Sequence, residues 1–93
     1  MANVRVPAML RATVGGERSV AAEGHTLREL IQNVDRQHPG FAGQLLDSDG
    51  AQRSFVNIYV NDEDVRYLSG LETPVEPGDV VSILPAVAGG AWR

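Results

Sequence analysis

The sequence lacks cysteine altogether, and no long apolar run occurs in its 93 residues. Without cysteine, the chain can form no disulfide, no thiolate metal site and no cysteine nucleophile. Its apolar stretches fall well short of the ~18 residues that a membrane span needs. The first residues do not follow the signal-peptide pattern either. We therefore expect a cytoplasmic protein without a membrane partner.

Lysine is absent too. All eight basic residues are arginine, against twelve acidic residues, and the net charge is −4. Because no basic cluster is present, nucleic acid is not expected as a partner. Two explanations of the missing lysine stay open. One is coding bias in a GC-rich genome, and the other is protection of an activated C-terminal carboxyl from amines of the same chain.

Length and composition predict a single folded domain. The apolar fraction of 43% and the charged fraction of 22% are ordinary for a globular protein. We place the folded domain at residues 1–85 and a flexible C-terminal tail at residues 86–93.

The first third of the chain predicts a β-hairpin. In the stretch NVRVPAML, apolar residues alternate with others, as in a half-buried strand. Gly15-Gly16 tolerates the positive φ of a tight turn, and a second short strand over residues 18–22 returns antiparallel. The alternating residues of the first strand are Val4, Val6, Ala8 and Leu10.

The stretch GHTLRELIQNVDRQHPG predicts the main helix. Thr26 and Glu29 have the capping-box spacing at its start, and Pro39-Gly40 ends it. Apolar residues at i, i+3, i+4 and i+7 form one buried stripe. The next residues predict about one further helical turn. The expected core residues of the two segments are Leu27, Leu30, Ile31, Val34, Phe41, Leu45 and Leu46.

The second half predicts three more strands. SFVNIYVN is rich in β-branched and aromatic residues, residues 64–67 form a short return strand, and a Pro-Gly turn leads into a last strand in VEPGDVVSILP. Alternation assigns Val56, Ile58, Val60, Val81 and Ile83 to the helix side. It assigns Phe55, Asn57, Tyr59, Val80, Ser82 and Leu84 to the other side.

This order of elements predicts an α+β fold. The first and last strands can pair in parallel, because the chain between them is long enough to cross over. The result is the β-grasp, or ubiquitin-like, arrangement: a mixed sheet of four to five strands with one main helix packed on one face.

Candidates for enzyme chemistry are few. His25 and His38 lie at opposite ends of the predicted helix, too far apart to share a metal ion, so we predict no metal site. The acidic run Asp62-Glu63-Asp64 fits a solvated turn or a contact for an arginine-bearing partner. No nucleophile–base pair can be named, and we expect no enzyme activity.

The C-terminal segment is different. Every side chain from Ala86 through Val87 and Ala88 to Gly89 and Gly90 is small or absent, so the segment can thread a narrow channel of a partner. Diglycine also leaves a following carboxyl open to attack. An ordinary frayed chain end is the alternative. A last strand that runs directly into this segment favours a carrier.

At these residues the chain resembles the MoaD/ThiS family of sulfur-carrier proteins, and within it the CysO-type branch of cysteine biosynthesis. The resemblance is carried by FVNIYVNDEDVR, PVEPGDVVSILPAVAGG and the strand order, and it extends up to Gly90. The final Gly-Gly alone marks ubiquitin-like carriers in general.

The resemblance implies that a MoeB/ThiF-type enzyme adenylates the carboxyl of Gly90 with ATP, and that a sulfur donor converts it to a thiocarboxylate. A PLP-dependent cysteine synthase, or another sulfur-accepting synthase, then takes the sulfur, and a JAMM-type zinc protease releases the product. The carrier itself holds no cofactor. The alternatives are a carrier for thiosugar, molybdopterin or thiamin synthesis, and a ubiquitin-like modifier or interaction module.

The sequence departs from the family pattern after the diglycine. Ala91-Trp92-Arg93 follows, so Gly90 carries an amide and cannot be adenylated as it stands. We expect cleavage between Gly90 and Ala91, by the JAMM-type protease, before activation.

The strand phases also predict a partner surface. Phe55, Tyr59 and Leu84 share the sheet face away from the helix, close to the start of the tail. An exposed apolar patch of this kind often marks a docking site. The alternative is that the loop over residues 48–52 covers it.

Overall fold

A five-stranded mixed sheet forms one layer of the protein, whose computed structural model describes residues 1–85. The strands are β1 (Ala2–Arg5), β2 (Ser19–Ala22), β3 (Val56–Val60), β4 (Glu63–Asp64) and β5 (Val80–Pro85). Their order across the sheet is β2-β1-β5-β3-β4. β1 and β5 run parallel, and the other neighbours are antiparallel. The predicted β-grasp arrangement is confirmed.

Two α-helices form the second layer, α1 (Leu27–Gln37) and the short α2 (Phe41–Leu45). The side chain of Thr26 accepts a hydrogen bond from the backbone N–H of Glu29 at 3.2 Å. The carboxylate of Glu29 accepts one from the N–H of His25 at 3.3 Å, one residue further out than in a regular capping box. Both predicted capping residues therefore satisfy free N–H groups where α1 begins.

The core lies between α1 and the sheet. Each fully buried Leu, Ile, Val or Phe side chain contributes about 1.5–3 kcal/mol to stability, so this layer contact holds the fold together. Every core residue predicted from the helical stripe and from the inward phase of β3 and β5 is buried. These residues are Leu27, Leu30, Ile31, Val34, Phe41, Leu45, Leu46, Val56, Ile58, Val60, Val81 and Ile83.

The first strand is shorter than predicted. Its pairing ends at Arg5, and residues Ala8–Val14 form a 3-10 helix. Pro7 has no N–H to donate to a sheet, so the strand cannot continue through it. Leu10 is buried, as expected, but from this helical turn, whereas Ala8 is exposed. Predicting strand as far as Leu10 was therefore wrong.

The predicted tight turn at Gly15-Gly16 is also wrong. Both glycines do have positive φ, 67° and 85°, but they end the 3-10 helix instead of joining two strands directly. The N–H of Gly16 donates to the carbonyl of Arg11 at 2.7 Å. The connection between β1 and β2 is therefore a helical excursion of thirteen residues, 6–18.

The predicted return strand over residues 64–67 is wrong for all but its first residue. Pairing with β3 stops at Asp64, and Val65–Tyr67 forms another 3-10 turn. The carboxylate of Asp64 accepts the N–H of Arg66 at 2.9 Å, which caps this turn, and Val65 is buried under it. A further 3-10 turn, Gly70–Glu72, precedes β5.

Asp79 ties the start of β5 to the end of β3. Its carboxylate accepts hydrogen bonds from the Asn61 side-chain amide at 3.0 Å and from the Glu76 N–H at 2.8 Å. These hydrogen bonds hold the pKa of Asp79 below its ordinary value of 3.8, and the bond from Asn61 has the larger effect. The charged form of Asp79 therefore stabilises this end of the sheet.

Replacing Asp79 by Asn should lower the free energy of unfolding at neutral pH by roughly 0.5–1.5 kcal/mol, because one of its two acceptor oxygens is lost. Since the folded-state pKa is the lower one, the stabilisation is present above pH 3.8 and disappears as the pH falls through the folded-state value. Urea unfolding of both proteins across this range measures the difference.

Asp49→Asn is the matched control, because it removes the same charge from a carboxylate to which no hydrogen bond is donated within residues 1–85. It should leave stability almost unchanged at every pH. An equal loss in both variants, or a loss for Asp79→Asn that does not vary with pH, would contradict this account.

Candidate functional site

The candidate site begins where β5 ends, because β5 leads into the diglycine segment. The predicted reactive and threading residues, Ala86–Gly90, and the predicted cleavage point Gly90-Ala91 lie outside the described residues. β5 is the middle strand, hydrogen-bonded to β1 on one side and to β3 on the other. Its last residue, Pro85, is opposite Val56, where β3 begins. The point at which the chain leaves the sheet is thus fixed from both sides.

Alternation along β5 separates an anchoring face from a presented one. Val81 and Ile83 are almost fully buried against α1, while Leu84 is 47% exposed on the outer face of the sheet. Ser82, on the same outer face, is opposite Arg5 in β1 and Tyr59 in β3. The outer side chains next to the tail are therefore held in place by inward neighbours that anchor the same strand.

Two of the three predicted patch residues are well exposed. Phe55 is 51% exposed just before β3, and Leu84 is 47% exposed near the end of β5. Tyr59 lies on the same face but is partly buried. We use "apolar patch" for Phe55 and Leu84, with Tyr59 behind them.

The middle of the loop over residues 48–52 is held by α1, on the other side of the sheet from the patch. The guanidinium of Arg28, on α1, donates to the carbonyl of Gly50 at 2.8 Å. The carboxylate of Asp47 accepts the N–H groups of Asp49 and Ala51 and closes the loop on itself. Gln52, the last residue of the loop, does reach β3, where its side-chain amide donates to the Val56 carbonyl at 2.8 Å. Phe55 and Leu84 nevertheless stay about half exposed, so the loop does not cover the patch.

Two arginines border the patch on the β3 side. The guanidinium carbon of Arg53 lies 5.8 Å from the centre of the Phe55 ring, in cation–π geometry. Arg66 donates to the Asn57 side chain at 2.7 Å and to the Val56 carbonyl at 2.9 Å. The sequence analysis did not find either residue. For Arg66 the only available signal was its place in the motif NDEDVR.

A groove of about 680 Å³ crosses β5 on the same outer face and reaches from β1 and β2 to Tyr59 and Asp62. It lies where the 3-10 helix leaves β1, and three of its side chains are arginines. The sequence analysis missed this groove, because it closed the hairpin at Gly15-Gly16, whereas the actual pairing sets Arg5 opposite Ser19, the residue after Arg18. The lining residues are Arg5, Val6, Pro7, Arg11, Arg18, Ser19, Tyr59, Asp62, Ser82, Ile83 and Leu84.

The remaining candidates stay apart from one another. His25 precedes α1 and His38 follows it, and residues 1–85 contain no group of three side chains able to hold a metal ion. In the acidic turn, Asp62 and Glu63 are exposed, and Asp64 caps the following 3-10 turn. No helix within the described part of the chain is long and apolar enough to cross a lipid bilayer.

Several known proteins are similar to this chain in sequence. A family model described as the ThiS family matches residues 4–90. The sulfur carrier protein CysO of Mycobacterium tuberculosis is 49% identical over 89 residues, which cover 94% of this chain and 96% of the relative. The small archaeal modifier protein 3 of Haloferax volcanii is 32% identical over 80 residues, covering 83% of this chain and 86% of that protein.

Solved structures agree with the sequence relatives. A chain in the crystal structure of the Amycolatopsis orientalis BexX/CysO complex superposes with a TM-score of 0.90 at 47% identity, over 97% of this chain and 100% of that one. The Mycobacterium tuberculosis CysO crystal structure also gives 0.90, at 46% identity, over 94% of this chain and 100% of that one. A CysO relative thus forms a complex with a protein partner, BexX.

The division of β5 into two faces can be tested by stability. Leu84→Ala should change the free energy of unfolding by no more than about 0.5 kcal/mol, because the side chain is half exposed. Ile83→Ala, one residue earlier, should cost about 2–5 kcal/mol, because it empties part of the core. Urea unfolding measures both variants. Equal losses would mean that the strand phase is misassigned.

Proposed function

The chain belongs to the ThiS family and is a sulfur carrier rather than an enzyme, and on this basis we propose that its working group is the carboxyl of Gly90. A MoeB/ThiF-type partner adenylates that carboxyl: a carboxylate oxygen attacks the α-phosphate of ATP, and pyrophosphate leaves. Hydrosulfide from a sulfur donor then attacks the acyl carbon, so that a C–S bond forms as the bond to AMP breaks. The product is a C-terminal thiocarboxylate.

The observation that supports this proposal most is the position of β5. The strand is hydrogen-bonded to a neighbouring strand on each side, β1 and β3. The five residues that follow Pro85 are small and end in Gly89-Gly90. A reactive terminus must enter the active site of another protein while its own domain stays folded outside. A rigid strand followed by a segment with minimal side chains meets both requirements.

The absences in the sequence are favourable for such a terminus. An activated acyl group is lost when an amine attacks it, and an oxidant can couple a thiocarboxylate with a thiol to give an acyl disulfide. These 93 residues contain neither lysine nor cysteine. Neither side reaction can therefore involve one of the chain's own side chains.

We assign the carried sulfur to cysteine biosynthesis, because CysO relatives share almost half of the residues over nearly the whole chain. In this assignment a PLP-dependent cysteine synthase accepts the sulfur onto an activated serine, O-phosphoserine. A JAMM-type zinc protease releases the cysteinyl product. The reactions take place in the cytoplasm and involve neither membrane nor nucleic acid. The carrier needs no cofactor of its own, and ATP enters through the activating partner.

Cleavage at Gly90-Ala91 must precede activation in this scheme. Ala91 follows Gly90, so the acyl group of Gly90 is held in a peptide bond until a protease removes the last three residues. We assign this step to the same JAMM-type protease. Ala91-Trp92-Arg93 then acts as a blocking group that keeps the carrier inactive until it is processed.

A second candidate function is that of a protein modifier, and the Haloferax modifier relative favours it. A modifier uses the same adenylate but transfers Gly90 to a lysine amine of a target protein. A carrier for thiosugar, molybdopterin or thiamin synthesis differs only in the enzyme that accepts the sulfur. The covalent state of Gly90 therefore separates carrier from modifier, and the accepting synthase separates the pathways.

Intact-mass analysis tests the processing step. The 93-residue chain and a chain ending at Gly90 are incubated in cell extract with ATP and a sulfide source, with and without a zinc chelator. The shorter chain should exchange one carboxyl oxygen for sulfur under both conditions. The longer chain should do so only after losing Ala91-Trp92-Arg93, and the chelator should prevent this.

A sulfur-containing product that retains Trp92 would rule out the processing step. Isopeptide linkage of Gly90 to lysines of other proteins, without sulfur exchange, would support the modifier. Failure of the shorter chain to react at all would contradict activation at Gly90.

The apolar patch is the proposed contact with the activating enzyme. Leu84→Ala and Phe55→Ala should each slow activation of the shorter chain about 10-fold, the size expected when an interface residue contributing about 1.4 kcal/mol is truncated. Tyr59→Ala should also slow activation without unfolding the domain, but by less, because that side chain is partly buried. The rate of AMP formation measures activation.

Gln32→Ala serves as the control, because Gln32 is exposed on α1, on the opposite layer. It should be activated at the unmodified rate. Unchanged rates for both patch variants would remove the patch from the interface without affecting the assignment of Gly90.

A further inference from the structure

The arginine-lined groove beside β5 has no role in the function described so far. Arg5 lies on the outer face of β1, opposite Ser19 in β2 and Ser82 in β5. Arg18 directly precedes β2, and its carbonyl accepts the N–H of Val6 at 2.8 Å, which brings it next to the end of β1. Arg11 enters from the 3-10 helix. Three of the eight arginines thus line one groove.

Two of these arginines differ from all others in the described part of the chain. Every other arginine there uses its guanidinium in a hydrogen bond within the protein. Within residues 1–85, the side chains of Arg5 and Arg18 donate no hydrogen bond and form no ion pair, and both are exposed. The engaged arginines are Arg11, Arg28, Arg36, Arg53 and Arg66.

Arg11 is fixed in a way that completes the groove. Its Nε donates to the carbonyl of Val6 at 3.2 Å, which holds the guanidinium against the turn that follows β1. Asp62 is the one acidic side chain of the lining, and it forms no ion pair with the three arginines. The groove therefore has an excess of positive charge, in a chain whose net charge is −4.

The groove also has an apolar side that joins the apolar patch. Pro7 and Leu84 both line it, and Leu84 belongs to the patch as well. The two surfaces overlap at Leu84 and Tyr59, and the arginines of the groove lie toward β1 and β2. A partner that contacts Leu84 while it receives the segment after Pro85 is therefore in reach of the guanidinium groups.

We infer that this groove receives an acidic segment of the enzyme that activates Gly90, an inference that rests on the proposed function. Carboxylates of the segment pair with Arg5 and Arg18, and an apolar side chain of the segment packs on Pro7 and Leu84. Arginine is suited to this task, because its planar guanidinium binds a carboxylate through two parallel hydrogen bonds. The rest of the carrier is acidic and repels an acidic segment, so the groove also selects one orientation of approach.

Activation kinetics test the groove in the chain that ends at Gly90. Arg5→Glu and Arg18→Glu should each raise the KM for the carrier about 10-fold or more, with kcat little changed, because binding is weakened before the chemical step. The unmodified carrier should lose affinity as salt is raised, and the two variants should lose this salt dependence.

Arg36→Glu is the matched control. It makes the same change of charge on α1, in the helical layer away from the groove, where Arg36 contacts the side chain of Asn33 at 3.2 Å. Its KM should stay near that of the unmodified carrier. A KM that rises equally in all three variants would mean that only net charge matters, and it would overturn the proposal.

Binding without the enzyme separates this inference from the proposed function. The ¹⁵N-labelled carrier is titrated with a peptide of alternating Glu and Leu, with its Gln-for-Glu counterpart, and with inorganic pyrophosphate. The acidic peptide should shift amide signals of Arg5, Arg18 and Ser82, the effect should disappear in Arg5→Glu, and the Gln peptide should have no effect.

The outcomes are distinct. If the unmodified chain is never activated, the proposed function fails, and the groove is then decided by the peptide titration alone. Shifts with pyrophosphate but not with the acidic peptide would assign the groove to a small phosphate anion and overturn the inference. Peptide shifts confined to residues outside the groove would overturn it as well.

Discussion

Hydrogen bonding of β5 to β1 on one side and to β3 on the other is the interaction on which the site depends. Because both neighbours are present, β5 cannot shift without breaking two ladders, and the chain leaves the domain at one fixed point after Pro85. The parallel pairing with β1 brings the end of β1, with Arg5, to the same edge. The antiparallel pairing with β3 brings Phe55 there from the other side. Strand order and strand direction thus determine which residues lie next to the end of β5.

The inner face of the sheet supplies stability and the outer face is available for recognition. Because side chains alternate between the two faces along each strand, the two roles fall on different residues. Inward residues such as Ile83 and Ile58 pack against α1 and supply stability. Outward residues such as Leu84 and Arg5 contribute little to it and are available for a partner. A carrier must be recognised by several enzymes in turn, so its recognition surface has to carry exposed apolar and charged groups without weakening the fold. The alternation of β5 allows this within six residues.

Local signals predicted much of the fold, and they failed where chemistry at one residue overrode a pattern. The capping pair Thr26–Glu29 and the apolar stripe of α1 are local, so the helix could be predicted with its first residue. The alternation through Leu10 was misleading, because Pro7 has no N–H to continue the sheet and Leu10 is buried from a 3-10 helix instead. The apolar patch followed from strand phase alone. The arginine groove did not, because the pairing of β1 with β2 and the 3-10 helix between them bring Arg5, Arg11 and Arg18 together, and both departed from the predicted hairpin. For residues 86–93, the sequence suggested a chemical role but not a position relative to the sheet.

A carrier with so little reactive chemistry of its own must obtain its specificity from the way it is held. In the proposed function the chain offers one reactive group, and without cysteine or lysine none of those side chains can attack that group once it is activated. The partner therefore has to find the domain, orient it, and accept the segment after Pro85 in a single encounter.

An apolar patch alone gives affinity but little direction, since apolar contact depends on area. A groove with three arginines and one acidic side chain gives direction, because it favours one orientation of an acidic partner segment. Leu84 belongs to both surfaces and precedes the tail by a single residue. In the proposed function, docking at that residue would therefore bring the diglycine segment toward the partner's active site.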